Sequence, residues 1–344
     1  MPSASLASRL APVVEPLRRL LLVAPREPKI TIGLDVGSAA VKVIALGPRR
    51  GQGPRPIVGQ HLVALTRGQE NDAAAAIHTA VETLQLGTRA VNLAVSGQWV
   101  IMRVVEMPVM TPGEMVQALP FEAQRYLPFN VQEVVIDGAV LGPSDASKVW
   151  VLIVACKKEL LQRRVDWAKQ AGFEAALIDV DALALTNSFL GTVGARDLTG
   201  SRALINVGAQ FTNLVVFRKD IPYLIRDIPW GGEKLARNAA EQLGSDADAV
   251  QRALTQGTAD ASLQSALKLT TEALVTELQL SFDYFENRFG EPPQELLISG
   301  GLSQSGAFIE ALKSHLTQSV AVWTPIQGLS PQFAVAHGLA MRTS

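Results

Sequence analysis

The stretch that decides the fold is Gly33 to Leu46, GLDVGSAAVKVIAL, and it has a counterpart at Leu204 to Phe217, LINVGAQFTNLVVF. Each stretch reads as an apolar strand, a turn of small residues and a second alternating strand, which is the pattern of a β-hairpin. When the two are aligned, three residues of the first correspond to three of the second: Asp35, Gly37 and Val41 fall opposite Asn206, Gly208 and Thr212. A hairpin that recurs in both halves of a chain predicts an internal duplication.

The tip of such a hairpin is suited to binding phosphate. Glycine at the tip lets backbone N–H groups approach a polyphosphate closely, and consecutive N–H groups form an anion-binding concavity. Asp35 stands at the end of the first strand. A carboxylate there can order the water shell of a magnesium ion that bridges the phosphates, because Mg²⁺ keeps most of its waters. One glycine hairpin is common in proteins, but a matched pair predicts a nucleotide site between two lobes.

A third element, Glu295 to Leu312, reads ELLISGGLSQSGAFIEAL. The pattern predicts a short strand, a turn at Gly300 and Gly301, and a helix that opens near Ser303. Bare backbone at a diglycine lets a base or ribose pack closely, although a plain strand-to-helix turn gives the same pattern. No strand is followed by GxGxxG and no Walker A lysine motif occurs, so neither a Rossmann nor a P-loop site is favoured.

Composition limits the class of protein. The chain has 344 residues, 48% of them hydrophobic, which is enough for two domains with separate cores. Lysine plus arginine (31) balance aspartate plus glutamate (32), so we expect no nucleic-acid partner. Cys156 is the one cysteine, which excludes a disulfide framework and fits a reducing cytosol. No window approaches the roughly 20 apolar residues of a membrane span, so we expect any membrane attachment to be peripheral.

Residues 1–29 form a separate N-terminal segment. Its apolar residues recur at near-helical spacing: Leu6, Leu10, Val13, Val14, Leu17, Leu20 and Leu21. Arg9, Arg18 and Arg19 add positive charge, which is typical of a helix that lies on a membrane surface. Four prolines interrupt the pattern, which favours instead a partly disordered tail or one that docks on a partner.

The three motifs, in this order, resemble the phosphate 1, phosphate 2 and adenosine motifs of the actin, sugar kinase and DnaK-type chaperone superfamily. Within it, the chain from Ile30 to Met341 is most similar to the PilM family of type IV pilus assembly, a relative of FtsA. The most specific stretch is Glu114 to Gly142, EMVQALPFEAQRYLPFNVQEVVIDGAVLG, and GGEKL (Gly231 to Leu235) and FAVAHGLAMR (Phe333 to Arg342) add to it. The resemblance implies an α/β, actin-like ATPase fold with duplicated ribonuclease H-like lobes and an inserted FtsA-type 1C subdomain.

The domain organisation follows from this resemblance. We expect a tail (1–29), a first lobe (30–200) with the 1C insertion at roughly 95–175, a second lobe (201–327), and a C-terminal helix (328–344) that returns to the first lobe. The second lobe reads as helix-rich from Asn238 to Gly290, with a polar loop around Gly244 to Ala261. Nucleotide bound between the lobes would then bias their closure.

The stretch within 1C also has a physical interpretation. Its apolar residues predict a short helix that Pro128 ends, followed by an extended segment that can pair with Val149 to Val154 and with Val91 to Val95. In the PilM family, the groove beside 1C takes the cytoplasmic N-terminal peptide of the inner-membrane protein PilN. Four aromatic or apolar residues are candidates for that groove, or alternatively for the core of 1C: Phe121, Tyr126, Leu127 and Phe129.

The resemblance also implies ATP with Mg²⁺ in the cleft. Asp35, and Asn206 through water, would face the metal. The implied nucleotide contacts are Gly37, Ser38, Lys42, Gly208, Thr212, Gly232, Gly300, Gly301 and Ser303. Glu277 and Ser281 share one face of a predicted helix and are candidates for touching the adenosine, although a solvated glutamate and a packed serine fit the same pattern.

Departures from the superfamily pattern affect catalysis. Phosphate 2 ordinarily carries aspartate where this chain has Asn206, which removes a carboxylate from the magnesium shell. Asp181, with Asp179 next, aligns with the water-activating acid, but aspartate is one methylene shorter than the usual glutamate. We therefore predict slow or absent ATP hydrolysis. Alternatively, Asp179 and Asp181 cap the helix that follows them.

The leading interpretation is an ATP-binding cytoplasmic scaffold, peripheral at the inner membrane, that joins a PilN-like protein to cytoplasmic pilus motor ATPases, with self-association as a further expectation. An FtsA-like division protein and a kinase or phosphatase of the same fold are the alternatives. A kinase would need an acid above the γ-phosphate and a substrate pocket, which no motif in the chain specifies.

Overall fold

Two five-stranded sheets have the same strand order, and each sheet with the helices packed on it is called a frame, the first and the second in chain order. A computed structural model describes residues 30–49, 53–65, 72–192 and 199–343. The first sheet contains β1 (Thr31–Val36), β2 (Ala40–Leu46), β3 (Ile57–Ala64), β4 (Ala90–Val95) and β8 (Glu174–Val180). The second sheet contains β9 (Ser201–Val207), β10 (Thr212–Arg218), β11 (Ile221–Ile228), β12 (Glu295–Ser299) and β13 (Ser319–Val322). Their orders, β3-β2-β1-β4-β8 and β11-β10-β9-β12-β13, give the duplication that the paired hairpins predict.

A three-stranded antiparallel sheet interrupts the first frame between β4 and β8. Its strands, β5 (Val100–Pro108), β6 (Val134–Pro143) and β7 (Lys148–Lys157), lie in the order β5-β7-β6. Helix α2 (Pro112–Gln124) packs on it and begins with a capping box between Thr111 and Glu114. The predicted pairing of the extended segment with Val91 to Val95 is wrong, because β4 already has β1 on one edge and β8 on the other.

Helices cover both faces of the first sheet. Helices α1 (Ala73–Glu82) and α3 (Lys158–Gln170) bury one face, and α4 (Asp181–Thr192) and α9 (Ala334–Met341) lie on the other. The second pair packs backbone to backbone. A methyl group at Gly33 would lie 2.0 Å from the Ala336 carbonyl oxygen, and one at Gly338 would lie 1.7 Å from that of Ala184. Glycine at these two positions is therefore required for α9 to seat on β1 and α4.

The helices of the second frame build the largest apolar core. They are α5 (Gly232–Leu243), α6 (Ala247–Gln256), α7 (Ala261–Phe289) and α8 (Gly306–Lys313). Helix α6 lies where we predicted a polar loop, because its exposed face is polar while Val250 and Leu254 are buried. Among helices of the described ranges, even the long α7 lacks the apolar run needed to cross a membrane.

The two frames share a core at α4. Phe189 of α4 packs against Phe217 of β10, with 5.2 Å between ring centroids, and against Trp323 at 5.6 Å. The inserted sheet adds a second contact, since Trp150 of β7 packs against Tyr223 at 5.8 Å and Phe289 at 5.5 Å. Relative motion of the frames must therefore repack these aromatic rings.

Candidate nucleotide-binding cleft

The carboxyl ends of the parallel strands meet across a cleft. In the first frame β1, β4 and β8 run parallel, so Asp35, the segment after Val95 and Asp181 gather at one edge. In the second frame β9 and β12 also run parallel, which places Val207 beside Gly300 and Gly301. Ligands of open α/β sheets bind outside these strand ends. The N–H of Gly97, which follows β4, bonds to Asp227 of β11, so the two edges meet and the predicted motifs come together there.

The first hairpin pairs its aspartate with a lysine. Asp35 and Lys42 are register partners across β1 and β2, and the Lys42 Nζ lies 2.8 Å from the Asp35 carboxylate. The turn closes through the Gly37 N–H, which donates to the Ala40 carbonyl at 3.1 Å, and Ser38 is exposed at the tip. Lys42 therefore neutralises Asp35 at the mouth of the hairpin.

The second hairpin contains a chain of amide and carboxylate groups. The Asn206 Nδ2 donates to the Asn213 Oδ1 at 2.9 Å, and the Asn213 Nδ2 donates to the Asp227 Oδ1 at 2.7 Å. The other oxygen of Asp227 accepts the Gly97 N–H, from the first frame, at 2.6 Å. Loss of surrounding water raises the pKa of Asp227, and the bonds from Gly97 and Asn213 oppose that rise.

Asp227 is a cleft residue that the sequence analysis missed. It lies on β11 in the run RDIPWGG, a few residues before the predicted ribose glycine Gly232. Thr212 was predicted to contact the nucleotide. Its side chain is fully buried, and its hydroxyl donates to the Trp230 carbonyl at 2.8 Å. Its side chain supports the turn from inside.

Glycines bring three backbone segments together at the base of the cleft. The Gly232 N–H donates to the Gly208 carbonyl at 2.9 Å. Gly300 has φ of +92°, and a methyl group there would lie 2.5 Å from the Val207 carbonyl oxygen, so glycine is required. At Gly301 an added methyl would meet nothing within 4 Å, which leaves open backbone. Ser303 is buried and its hydroxyl donates to the Gly300 carbonyl at 2.7 Å.

The two candidate catalytic aspartates have different surroundings. Asp179 is buried, lies 3.3 Å from Arg342 and accepts the Val180 N–H at 2.8 Å. Asp181 is half-buried in the first turn of α4, where desolvation of its carboxyl and the nearby charge of Asp35 raise its pKa to about 7. Asp181 is therefore the one of the two that shares the cleft with the first hairpin.

Glu277 and Ser281 hold an arginine. The Arg226 guanidinium lies 2.8 Å from the Glu277 carboxylate and donates to the Ser281 hydroxyl at 3.0 Å. Arg226 precedes Asp227 on β11, so the pair steadies the strand that carries the cleft carboxylate. Contact of Glu277 with an adenosine stays a prediction.

The candidate partner residues divide by exposure. Phe121 is 76% exposed, whereas Tyr126 and Leu127 are half-buried against the core of the inserted sheet. Phe129 is half-buried and lies 6.2 Å from the ring of Trp99, and the Lys157 Nζ sits 4.4 Å and 5.1 Å from the Trp99 and Phe129 ring centroids. Trp99 was missed in the sequence, where its signal is a tryptophan in the turn after β4.

The donor set fits magnesium that stays largely hydrated. Within the described ranges, no group of three histidine, cysteine, aspartate or glutamate side chains is arranged to hold a metal alone. Asp35 and Asp181 supply hard carboxylate oxygens at the cleft, and magnesium prefers such ligands together with water and phosphate oxygens. The site suits a metal that arrives with a nucleotide.

Comparison with known proteins agrees with this architecture. The family model described as Type IV pilus assembly protein PilM matches residues 33–344. The solved PilM-PilN type IV pilus biogenesis complex is similar at 24% identity and a TM-score of 0.80, covering 91% of this chain and 98% of that one. The ethanolamine utilization protein EutJ from Carboxydothermus hydrogenoformans is similar at 14% identity and a TM-score of 0.56, over 98% of this chain and 99% of that one. MreB5 of Spiroplasma citri bound to ADP is similar at 11% identity and a TM-score of 0.51, over 91% and 95%. These likenesses confirm the predicted actin-like ATPase fold.

Proposed function

Because the chain belongs to the type IV pilus assembly protein PilM family, we propose that it is an ATP-binding scaffold of the pilus assembly complex at the inner membrane. The observation that carries the proposal is the meeting of two glycine hairpins and a diglycine turn at facing strand ends. MreB5, a neighbour of the same fold, was solved with ADP, which supports a nucleotide as the ligand.

Each part of the cleft has a role in this proposal. The residues that follow Gly37 and Gly208 at the hairpin tips present backbone N–H groups to the phosphates, because the N–H groups of the two glycines themselves close the turns. The open backbone at Gly301 receives the base. Asp35 orders the water around magnesium, which neutralises phosphate charge when bound. Lys42, 2.8 Å from Asp35, balances the charge of that carboxylate before the metal arrives.

Hydrolysis in this cleft is slow. Asp181 would act as the general base, but its side chain is one methylene shorter than the glutamate usual at this position, so its carboxylate reaches less far towards an attacking water. Asn206 brings no second carboxylate, and its amide is bonded to Asn213 at 2.9 Å. A bound nucleotide therefore serves to hold a conformation of the lobes.

The inserted sheet is the proposed partner site. A PilN-like inner-membrane protein would place its cytoplasmic N-terminal peptide against Phe121 and the Trp99–Phe129 pair, with Tyr126 and Leu127 behind them. The similar solved structure is a complex of PilM with PilN, which supports this partner. Cytoplasmic motor ATPases and a second copy of the chain are further proposed partners, and attachment to the membrane is peripheral through the peptide.

Chromatography of the nucleotide released on denaturation, followed by phosphate release from added Mg·ATP, tests the proposal. We expect retained or readily bound ATP with negligible turnover. Rapid turnover would favour a kinase or phosphatase of the same fold, and absence of ATP or ADP binding would overturn the proposal. The FtsA-like alternative predicts no binding of a PilN-like peptide, which fluorescence anisotropy measures separately.

A further inference from the structure

Asp227 joins the two frames through a hydrogen bond. It lies on β11 of the second frame, and its carboxylate accepts the N–H of Gly97, from the first frame, at 2.6 Å. Such a short bond to a carboxylate is among the stronger hydrogen bonds in proteins. Gly97 also has φ of +91°, and a methyl group there would lie 3.2 Å from the Phe211 ring, so the two frames touch closely at this residue.

The segment from Ser96 to Trp99 has three separate anchors. The Ser96 side chain lies beside the carboxyl of Asp181, the candidate base, and opposes the rise of its pKa. Gly97 bonds to Asp227. Trp99 lies 6.2 Å from Phe129 on the inserted sheet and is 42% exposed. Gly97 therefore lies between a residue beside Asp181 and a residue of the exposed surface around Trp99.

We propose that Asp227 is a positioning residue which, by holding Gly97, fixes the Ser96–Trp99 segment and so couples the cleft to the Trp99–Phe129 surface. This inference deepens the proposed function and rests on it for the identity of the ligand. Asp227 acts here as a hydrogen-bond acceptor for two donors, Gly97 and Asn213, and not as a ligand of nucleotide or metal.

The Asn213–Asp227 pair allows a rescue experiment. Asp227→Ala removes the acceptor of both donors, Gly97 and Asn213. Exchanging the pair, Asn213→Asp with Asp227→Asn, restores every bond. The new carboxylate at position 213 accepts from Asn206 and from position 227, whose amide oxygen accepts from Gly97. Asp283→Asn, on the exposed face of α7, is the matched control.

Hydrogen–deuterium exchange of the Ser96–Trp99 segment is the first measurement, on the full chain without nucleotide. We expect exchange about tenfold faster in Asp227→Ala, near wild type in the exchanged pair, and unchanged in the control. Binding of a PilN-like peptide and of Mg·ATP to the same variants is the second measurement, and both affinities should fall and recover together. A merely structural role would instead lower the unfolding midpoint and speed exchange across both frames, not selectively in this segment.

The outcomes separate the two proposals. Equal exchange in wild type and Asp227→Ala, or no recovery in the exchanged pair, would overturn the role of Asp227 even if the protein binds ATP. If exchange is faster in the single variant and recovers in the exchanged pair, but the protein binds no ATP, the proposed function is overturned and the link between the frames stays in place. The exchanged pair keeps the full hydrogen-bond set, so it remains informative if Asp227→Ala folds poorly.

Discussion

Replacing Asp35 by alanine should weaken binding of Mg·ATP and leave binding of metal-free ATP unchanged or stronger. Asp35 contributes to binding only through the metal's water shell, whereas Lys42, 2.8 Å away, is released towards the phosphates when the carboxylate is removed. A hydrogen bond to a charged group contributes about 1.5–3 kcal/mol, which corresponds to roughly a 10- to 150-fold increase in Kd. Titration calorimetry in magnesium and in EDTA measures both values.

The ion pair complicates this variant, so a second substitution is needed. The side chains of Asp35 and Lys42 are only 10% and 16% exposed, and alanine at position 35 leaves an unpaired ammonium. We expect a loss of about 1–3 kcal/mol in the free energy of unfolding, partly recovered in Asp35→Ala with Lys42→Met. An equal fold-loss of affinity with and without magnesium would refute the role of Asp35 in the metal shell.

Three further predictions concern catalysis, packing and the partner surface. The rate of residual phosphate release should rise between pH 6 and pH 8, because the ionised fraction of Asp181 increases around its pKa of about 7. A rate that does not depend on pH and survives Asp181→Asn would contradict this. Gly338→Ala places a methyl 1.7 Å from a backbone oxygen and should lower the free energy of unfolding, measured in urea, by about 3 kcal/mol or more. Gly301→Ala has open space for the methyl and should change that free energy by less than about 1 kcal/mol, so similar losses in both variants would count against the packing argument. Phe121→Ser should raise the Kd of a PilN-like peptide, measured by fluorescence anisotropy, about tenfold or more, and should change the free energy of unfolding by less than about 0.5 kcal/mol. Leu280→Ser, at another exposed position, should leave the Kd unchanged. Equal effects of the two substitutions would place the partner elsewhere.

The sequence could predict the frame because its signals are local. Alternating apolar residues and a glycine tip mark each hairpin within a dozen residues or so, and the repetition of the pattern identifies the duplicated lobes. The fold and the family followed from these stretches and are confirmed. Local signals also misled, since the polar exposed face of α6 reads as a loop when its two buried side chains are not known.

The network across the cleft could not be predicted in the same way. Gly97 and Asp227 are 130 positions apart, and no local pattern marks a carboxylate in a strand as the acceptor for a distant backbone N–H. Asp179 and Asp181 are equivalent by residue type and spacing, and only the arrangement of Arg342 and Asp35 around them separates their roles. Such roles depend on which strands become neighbours, and a single sequence does not state this.

The seat of α9 has a consequence for biosynthesis. Thr31 of β1 donates a hydrogen bond to the carbonyl of Ala340, a residue 309 positions later. On the ribosome, the first sheet is therefore translated long before the helix that covers it, and Ile44 and Leu46 have no α9 to pack against during that time. Contacts of such long range fold slowly and leave apolar surface open to misassociation. The second frame, whose strands and helices are contiguous in the chain, can complete its core first, so the nascent protein matures in the reverse of its order of synthesis.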